Sequence, residues 1–330
     1  MSAALKPAAA QPLVRARDLS VLFKTRDRTV HAVNGVDLDL AQGEVLCLLG
    51  ESGSGKSVTL RALMKLLPRQ ATVGGSIEVA GRDVQAMSES QLSDFRGGDV
   101  AMIFQEPMTA LDPVFTIGRQ IAEAVQRHEG VSRAAADARA LELLELVQIP
   151  SAKRRLAAYP HELSGGLRQR AMIAVALACR PKLLLADEPT TALDATVQIQ
   201  VLLLLRELQE KLGMGVIFVT HDLGVAGEIA DRVAVMYAGR VVEEGAVGPF
   251  MAGPLHPYAQ GLLGATVHPG MRGKRLTTIP GAPPGLETAP TTCAFAPRCA
   301  LAEPACLAGV PPAVAAGPGR MTRCIKVTAA

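Results

Sequence analysis

The segment GESGSGKS, residues 50 to 57, has residue types at a spacing that could bind phosphate groups. It fits the pattern G-x-x-x-x-G-K-[ST]. Its glycines let successive backbone N–H groups surround phosphate oxygens at the start of a helix, where the helix dipole favours an anion. Lys56 would reach the β and γ phosphates, and the Ser57 hydroxyl would bind Mg²⁺. The segment therefore predicts a site for a magnesium nucleoside triphosphate.

A second candidate group lies at residues 183 to 188, where the apolar run LLLA is followed by Asp187 and Glu188. By itself, an apolar run that ends in Asp-Glu is often an ordinary strand end. Together with a phosphate loop, it predicts that Asp187 holds Mg²⁺ and that Glu188 polarises the attacking water. The two segments predict hydrolysis of the bound nucleotide.

Buried strands are needed to position these side chains. The apolar run at 44–49 precedes the phosphate loop and apolar residues at helical spacing follow it, which predicts the order strand, loop, helix. The runs at 182–189 and 215–222 are also apolar and end in acidic or polar residues, as buried parallel strands do where their C-terminal ends carry a site. The predicted fold class is therefore α/β.

The regions around this core differ in composition. Residues 14–49 are predicted to be mainly extended, and residues 96–170 to form an inserted helical subdomain. Residues 233–245 are predicted to form a hairpin that turns at Ala238 and Gly239. After about residue 250, proline and glycine become frequent, which predicts an irregular C-terminal appendage.

Composition disfavours some functional classes. Lys plus Arg (34) nearly balance Asp plus Glu (31), so no dedicated nucleic-acid binder is indicated. We expect no secretion signal, because Lys6, Pro7 and Pro12 interrupt the first residues. No apolar segment reaches the roughly 18 to 20 residues of a membrane span. Any link to a membrane is therefore expected to run through another protein.

Four of the six cysteines lie near the end of the chain, at Cys293, Cys299, Cys306 and Cys324. In a reducing cytosol, clustered cysteines are more often metal ligands than disulfides. Zinc sites typically pair cysteines roughly two to four residues apart, whereas five, six and seventeen residues separate these four. A four-iron, four-sulfur cluster needs four thiolates. The residues alone leave a cluster, zinc and no metal open.

Neighbouring residues refine the expectations for the cysteines. Arg298 and Arg323 each lie beside a candidate ligand and are expected to favour the thiolate form. Cys47 and Cys179 lie in apolar runs and are predicted to be buried core thiols. Because the appendage is poor in large apolar residues, a bound cluster would serve mainly to hold it folded.

Residues 163–170, LSGGLRQR, lie between the phosphate loop and Asp187, and with them the chain resembles the ATP-binding cassette (ABC) ATPases. LSGG followed by a helix is the signature motif of that family. The resemblance covers about residues 14–250, with one departure at Leu167, where many cassettes have Gln. It implies an α/β P-loop NTPase (RecA-like) core with an antiparallel β subdomain and the inserted helical subdomain. The cysteine-containing appendage, 251–330, would follow as an extension.

The resemblance also implies roles for individual residues. Gln105, in IFQEP, matches a glutamine that senses Mg²⁺ and links the site to the membrane partner, and Asp194, in ALD at 192–194, matches the D-loop. His221 matches the switch histidine that contacts the γ-phosphate, and Phe23 lies where an aromatic ring stacks on adenine. The implied catalytic residues are Glu188, His221 and Gln105, and the implied Mg²⁺ ligands are Ser57, Gln105 and Asp187. The implied ATP contacts are Phe23, Gly50, Glu51, Ser52, Gly53, Ser54, Gly55, Lys56, Ser57, Val58, Ser164, Gly165, Gly166 and Asp194.

Three further segments resemble the oligopeptide and dipeptide permease ATPases, a group that includes nickel importers. They are YPHEL at 159–163, LHPY at 255–258 and IPGAPP at 279–284. Similar cysteine tails in that group are associated with a four-iron, four-sulfur cluster. The resemblance therefore favours the cluster over zinc.

This family resemblance implies the partners as well. One chain would hold half of each active site, with the phosphate loop of one subunit facing the signature of a second ABC ATPase subunit, in either a homodimer or a heterodimer. Two transmembrane permease subunits, and indirectly an external substrate-binding protein, would place the chain on the cytoplasmic face of the inner membrane. The implied function is ATP-driven import of peptides, with dipeptides, oligopeptides and nickel open as cargo.

Two other functions are compatible with parts of the sequence. A soluble ABC ATPase acting on DNA or ribosomes is the first, but the sequence lacks the long coiled coil of the DNA-repair relatives and the tandem cassettes of the ribosomal ones. The second is an iron–sulfur redox protein that merely retains a nucleotide site, which is hard to reconcile with Glu188 and His221.

Overall fold

The computed structural model describes residues 11–25, 28–106, 110–191, 193–266 and 278–327. The strands are β1 Val14–Lys24, β2 Thr29–Leu40, β3 Val45–Leu49, β4 Ala71–Val79, β5 Arg82–Asp83, β6 Val100–Ile103, β7 Leu183–Asp187, β8 Gly215–Thr220, β9 Arg232–Tyr237, β10 Arg240–Ala246, β11 Val314–Ala315 and β12 Met321–Thr322. The α-helices are α1 Lys56–Leu63, α2 Glu89–Gly98, α3 Ile117–Glu129, α4 Arg133–Leu146, α5 Ala152–Arg155, α6 Gly165–Ala176, α7 Ala195–Leu212, α8 Leu223–Ile229, α9 Val247–Ala252 and α10 Pro257–Gly264.

The larger sheet positions the phosphate loop and the acidic pair. Within the described ranges its strand order is β11-β12-β10-β9-β3-β8-β7-β6. Strands β9, β3, β8, β7 and β6 run parallel to one another. Every residue of β3 and β7 is buried, and alternate residues of β3 enter two different cores: Cys47 lies in one and Leu46 in the other. The C-terminal ends of these strands share one edge of the sheet, and the predicted α/β class is confirmed.

The smaller sheet is antiparallel, with the strand order β2-β1-β4-β5. Its buried residues, such as Leu19 and Val21 of β1, pack with Leu46 of β3 and with Leu60 and Leu63 of α1 in one apolar core. This core joins the smaller sheet, the helix after the phosphate loop and one face of the larger sheet.

The opposite face of the larger sheet packs against helices α3, α4, α6 and α7 in a second apolar core. Side-chain oxygens of Thr116, Ser132 and Ser164 accept backbone N–H groups at the starts of α3, α4 and α6, as N-cap residues do. The predicted helical region, 96–170, also contains β6, which pairs with β7 in the sheet. Among the described residues, no helix combines the length and the apolar character needed to cross a bilayer.

The hairpin predicted at 233–245 is present, with Tyr237 of β9 opposite Arg240 of β10. Its two turn residues, Ala238 and Gly239, have φ values of 49° and 76°. Positive φ at both positions is typical of the tight turn whose twist matches that of the flanking strands.

The C-terminal appendage is less irregular than its composition predicts. Its residues 314–315 and 321–322 add two short strands to the larger sheet, because β12 pairs with the open edge of β10. Glu243 of β10 is fully buried, and its carboxylate accepts from Arg320 at 3.0 Å and from the backbone N–H of Leu255 and His256. These contacts attach the appendage to the sheet.

Candidate functional site

A cavity of about 740 Å³ lies at the C-terminal edge of the larger sheet. Residues from the phosphate loop, the smaller sheet, the ends of β7 and β8, and the appendage line it. They are Phe23, Val30, Ala32, Glu51, Ser52, Gly53, Ser54, Gly55, Lys56, Ser57, Val58, Gln105, Glu188, His221 and Leu286. Most of the predicted nucleotide residues therefore surround one cavity.

Two glycines of the phosphate loop are required by close backbone contacts. Gly50 has φ +153°, and a Cβ there would lie 2.3 Å from the carbonyl oxygen of Met236. Gly55 has φ +103°, and a Cβ there would lie 2.5 Å from the carbonyl oxygen of Ala32. Any larger residue would collide with backbone atoms at both positions, so the loop conformation depends on glycine.

The Lys56 side chain folds back onto the phosphate loop. Its ammonium donates to the carbonyl oxygens of Gly50 at 2.7 Å and of Glu51 at 2.9 Å. Burial lowers the pKa of Lys56, while Glu188 and Asp187 nearby favour the charged form. The cation is therefore held at the phosphate loop, close to both acidic residues.

Ser57 and Asp187 form the pair expected of a Mg²⁺ site. The Ser57 hydroxyl donates to Asp187 Oδ1 at 2.7 Å. Burial raises the pKa of Asp187, and the hydrogen bond from Ser57 opposes that shift. A hydroxyl and a carboxylate oxygen at this separation are ligands that Mg²⁺ accepts together with waters and phosphate oxygens, so these residues fit the ion. Gln105 lines the same cavity.

Glu188 follows directly after β7 with its backbone in the left-handed region, at φ 46°. Its carboxylate accepts from the Thr191 hydroxyl at 3.0 Å and lies 3.3 Å from His221 Nδ1. Non-glycine residues in this backbone region are uncommon, and such strain concentrates at functional sites. The local structure thus holds a carboxylate and an imidazole together at the cavity.

The signature residues and the D-loop residue do not join this cavity. Ser164 and Gly165 are exposed at the start of α6, where Ser164 Oγ accepts the Leu167 N–H at 3.4 Å. Asp194 is exposed and caps α7 by accepting the Val197 N–H at 3.0 Å. Gly166 packs against α7, since a Cβ there would lie 2.7 Å from Val197 Cγ1. Ala192, the first residue of the predicted D-loop, lies outside the described residues.

Phe23 also lines the cavity, where it is half-buried near the end of β1. Val30 of β2 lies opposite Phe23 in the sheet register and lines the cavity too. The two side chains give their part of the cavity an apolar character, which suits a nucleobase better than a phosphate.

Three appendage residues at the site were not predicted from the sequence. Leu286 lines the cavity, and its carbonyl accepts the His31 N–H at 2.7 Å. Tyr258 and Arg298 both bind Glu51 in the phosphate loop. In the sequence, Tyr258 belongs to the LHPY segment and Arg298 is a neighbour of Cys299. Neither position indicates a contact with the phosphate loop.

The cysteine predictions have a mixed outcome. Within the described residues, no group of three or more His, Cys, Asp or Glu side chains is arranged to hold a metal ion, so the predicted iron–sulfur cluster has no preformed site to support it. The Arg298 guanidinium binds Glu51 and the Tyr237 hydroxyl, and the expectation that it favours a thiolate stays a prediction. Cys47 is buried as predicted, whereas Cys179 is only half-buried.

The sheet order, the phosphate loop and the acidic pair define a nucleotide-hydrolysing ATPase of the phosphate-loop class. The chain matches the ABC transporter family over residues 33–191 and the family described as the oligopeptide/dipeptide transporter C-terminal region over residues 242–306. The chain belongs to the ABC transporter family, among the ATP-binding proteins that carry this C-terminal region.

Relatives and solved structures agree with this assignment. The chain is 51% identical over 329 residues to a putative peptide import ATP-binding protein of Brucella melitensis biotype 1, covering 96% of this chain and 97% of the relative. It is 47% identical to the oligopeptide transport ATP-binding protein OppD of Salmonella typhimurium, covering 97% of this chain and 95% of the relative. A dimeric ATP-binding cassette in a post-hydrolysis state bound to ADP and Pi superposes with a TM-score of 0.64 at 30% identity, covering 71% of this chain and 98% of that chain. These similarities give no support to the DNA or ribosome alternative.

Proposed function

We propose that this chain is the ATP-hydrolysing subunit of an importer that carries peptides through a membrane permease. One observation carries this conclusion: the phosphate loop, the Ser57–Asp187 pair and Glu188 converge at one site in a chain that also has the oligopeptide/dipeptide C-terminal region. The relatives named for peptide import and oligopeptide transport support the same cargo class.

In the proposed mechanism the triphosphate lies along the phosphate loop, with Lys56 at the β and γ phosphates and the base beside Phe23. Ser57, Asp187 and Gln105 would hold Mg²⁺, which when bound neutralises charge on the phosphate oxygens. Glu188 accepts a proton from the attacking water. His221, 3.3 Å from the Glu188 carboxylate, orients that carboxylate and contacts the γ-phosphate.

The exposed signature and D-loop residues complete the site of a second ATPase subunit. Ser164, Gly165, Gly166 and Asp194 lie outside the cavity of their own chain, and most of them face solvent. A helix N-terminus such as that of α6 favours an anion, so it suits the γ-phosphate of a nucleotide bound to the partner. The dimeric cassette of similar structure supports this arrangement.

The remaining partners follow from the same assignment. Two transmembrane permease subunits would receive the motion of the dimer through the region of Gln105, and an external binding protein would deliver the peptide. The chain would lie on the cytoplasmic face of the inner membrane. We assign residues 14–250, with the helical subdomain at about 96–170, to the nucleotide-binding domain, and residues 251–330 to the C-terminal extension.

Purification of the tagged chain from detergent-solubilised native membranes tests this proposal. The expected result, read by mass spectrometry, is recovery of two permease subunits together with two ABC ATPase subunits, which are either two copies of this chain or this chain and a second ATPase. Recovery with ribosomal particles or DNA, and without a permease, would contradict it.

A four-iron, four-sulfur cluster held by Cys293, Cys299, Cys306 and Cys324 is part of the proposed assembly. The Cys293 N–H donates to the Cys306 carbonyl at 3.1 Å. Burial raises the pKa of Cys293, and Cys306 and Cys324 are close enough to raise it too; burial likewise raises the pKa of Cys324, with contributions from Cys299 and Cys306. Because a cluster is wider than a single ion, thiols that do not converge on one point can still bind its corners.

Anaerobic purification tests the cluster. We expect a brown protein with iron and acid-labile sulfide in equal amounts, and we expect Cys306→Ser to lose both and to make the appendage sensitive to protease. Cys179→Ser, at a half-buried cysteine outside the group, is the matched control and should keep both. A colourless preparation with stoichiometric zinc, or with no metal, would exclude the cluster.

A further inference from the structure

Two residues of the appendage bind Glu51 of the phosphate loop, one through the Glu51 side chain and one through the Glu51 backbone. Arg298 Nη1 and Nη2 donate to the two oxygens of the Glu51 carboxylate at 2.7 and 3.0 Å. The Glu51 backbone N–H donates to the Tyr258 hydroxyl at 2.9 Å. We call these three residues, Glu51, Tyr258 and Arg298, the loop tether.

Arg298 is fixed in place by further contacts. It is 7% exposed, its Nε donates to the Pro280 carbonyl at 2.8 Å, and Nη1 lies 3.3 Å from the Tyr237 hydroxyl. The ring of Tyr237 in turn packs against that of Tyr258, with centroids 4.6 Å apart. A guanidinium that binds a carboxylate at two points fixes both distance and orientation. The appendage therefore presents a rigid cation to the loop.

The position of Glu51 bears directly on the phosphate site. Its carbonyl accepts the Lys56 ammonium at 2.9 Å, and Glu51 itself lines the nucleotide cavity. Its carboxylate is a negative charge beside the place where a polyanion binds, and Arg298 compensates that charge. Without Arg298, the carboxylate would repel the triphosphate and would be free to draw Lys56 away from it.

We propose that Arg298 is a positioning residue for ATP: through the loop tether, the C-terminal appendage sets the conformation and the charge of the phosphate loop. This inference rests on ATP binding at that loop. It gives the appendage a role in nucleotide affinity, and it means that loss of order in the appendage weakens ATP binding at a site far from it in sequence.

Binding of magnesium AMP-PNP to the intact protein, together with kcat and KM for ATP and the iron content of each variant, tests the tether. Arg298→Met should raise the Kd on the order of 10-fold, because the Glu51 charge is left uncompensated. The double variant Arg298→Met with Glu51→Gln should bind better than Arg298→Met alone, since the repelling charge is gone. A loss of packing alone does not predict that recovery.

Arg139→Met is the matched control. It breaks an arginine–carboxylate ion pair at 3.0 Å, that with Glu142 on α4, outside both the appendage and the phosphate loop. It should keep the Kd within about twofold of the unmodified protein, given that the electrostatic effect of Arg298 is local. If Arg298→Met does not fold, Arg298→Lys replaces it, and its Kd should rise less than 10-fold because the charge stays while the two-point contact is lost.

The outcomes separate this inference from the proposed function. If the unmodified protein binds no AMP-PNP, the proposed function fails. If it binds, and Arg298→Met binds equally well, or Arg139→Met weakens binding as much, the tether has no role in positioning ATP. Absence of recovery in the double variant also contradicts the charge-compensation part of the inference.

Discussion

Replacing Glu188 by Gln should lower ATP hydrolysis by roughly 10²- to 10⁴-fold while ATP still binds. The amide keeps the shape of the side chain and can still accept the Thr191 hydroxyl, which donates to Glu188 at 3.0 Å. It cannot take a proton from the attacking water. Lys56, Ser57 and Asp187 are unchanged, so the magnesium nucleotide should still bind and hold the two subunits together. Phosphate release measures hydrolysis, and light scattering with ATP present measures dimerisation.

Glu210→Gln serves as the control for this experiment. Glu210 is a largely exposed carboxylate on α7 that pairs with Arg206. It does not line the nucleotide cavity. The Glu210→Gln variant should hydrolyse ATP at the rate of the unmodified protein. If Glu188→Gln retains substantial turnover, the general base is a different residue.

Ser164→Arg should also nearly abolish hydrolysis, but for a different reason. Ser164 is exposed at the start of α6, and the proposed dimer places it against the γ-phosphate bound to the partner. A bulky side chain there would prevent closure of the dimer. Nucleotide affinity of the isolated subunit should change little, because Ser164 does not line the cavity of its own chain. Titration of the monomer with AMP-PNP measures nucleotide affinity. The hydrolysis rate of the assembled protein measures the effect on turnover.

Ser132→Arg is a matched control for Ser164→Arg. Ser132 caps α4 by accepting the Ala135 N–H at 3.3 Å, much as Ser164 caps α6. Each substitution removes one cap, which costs about 1 kcal/mol of stability, and adds the same side chain. Only Ser164→Arg should lose hydrolysis. A collapse of monomer affinity in Ser164→Arg would show that the signature acts within its own chain.

The sequence predicted those parts of the site that depend on local pattern. The phosphate loop follows β3 and precedes α1, and Asp187 ends β7, because apolar runs and a glycine-rich segment specify these elements within a few residues. The hairpin at Ala238 and Gly239 was predicted for the same reason. Whether Phe23, Gln105 and His221 have their proposed roles stays a prediction, although all three line the cavity.

Contacts between distant segments could not be predicted in this way. Arg298 and Glu51 lie 247 positions apart, and neither residue type nor spacing indicates that they pair. Strands β11 and β12 are two residues long, too short for any periodicity to show. The left-handed backbone of Glu188 likewise depends on the surrounding structure, since no glycine marks it. Long-range pairing and strain are set by the whole fold, which a local pattern does not contain.

Uptake by the complex purified from native membranes and reconstituted into vesicles tests the proposed function most directly. A labelled dipeptide and a labelled pentapeptide are supplied separately with the external binding protein, and MgATP is supplied on the side of this chain. We predict that at least one peptide accumulates only with ATP, and that the complex carrying Glu188→Gln accumulates neither. ATP hydrolysis without uptake of either peptide, or ATP-driven uptake of Ni²⁺ alone, would contradict the assignment of this chain to peptide import.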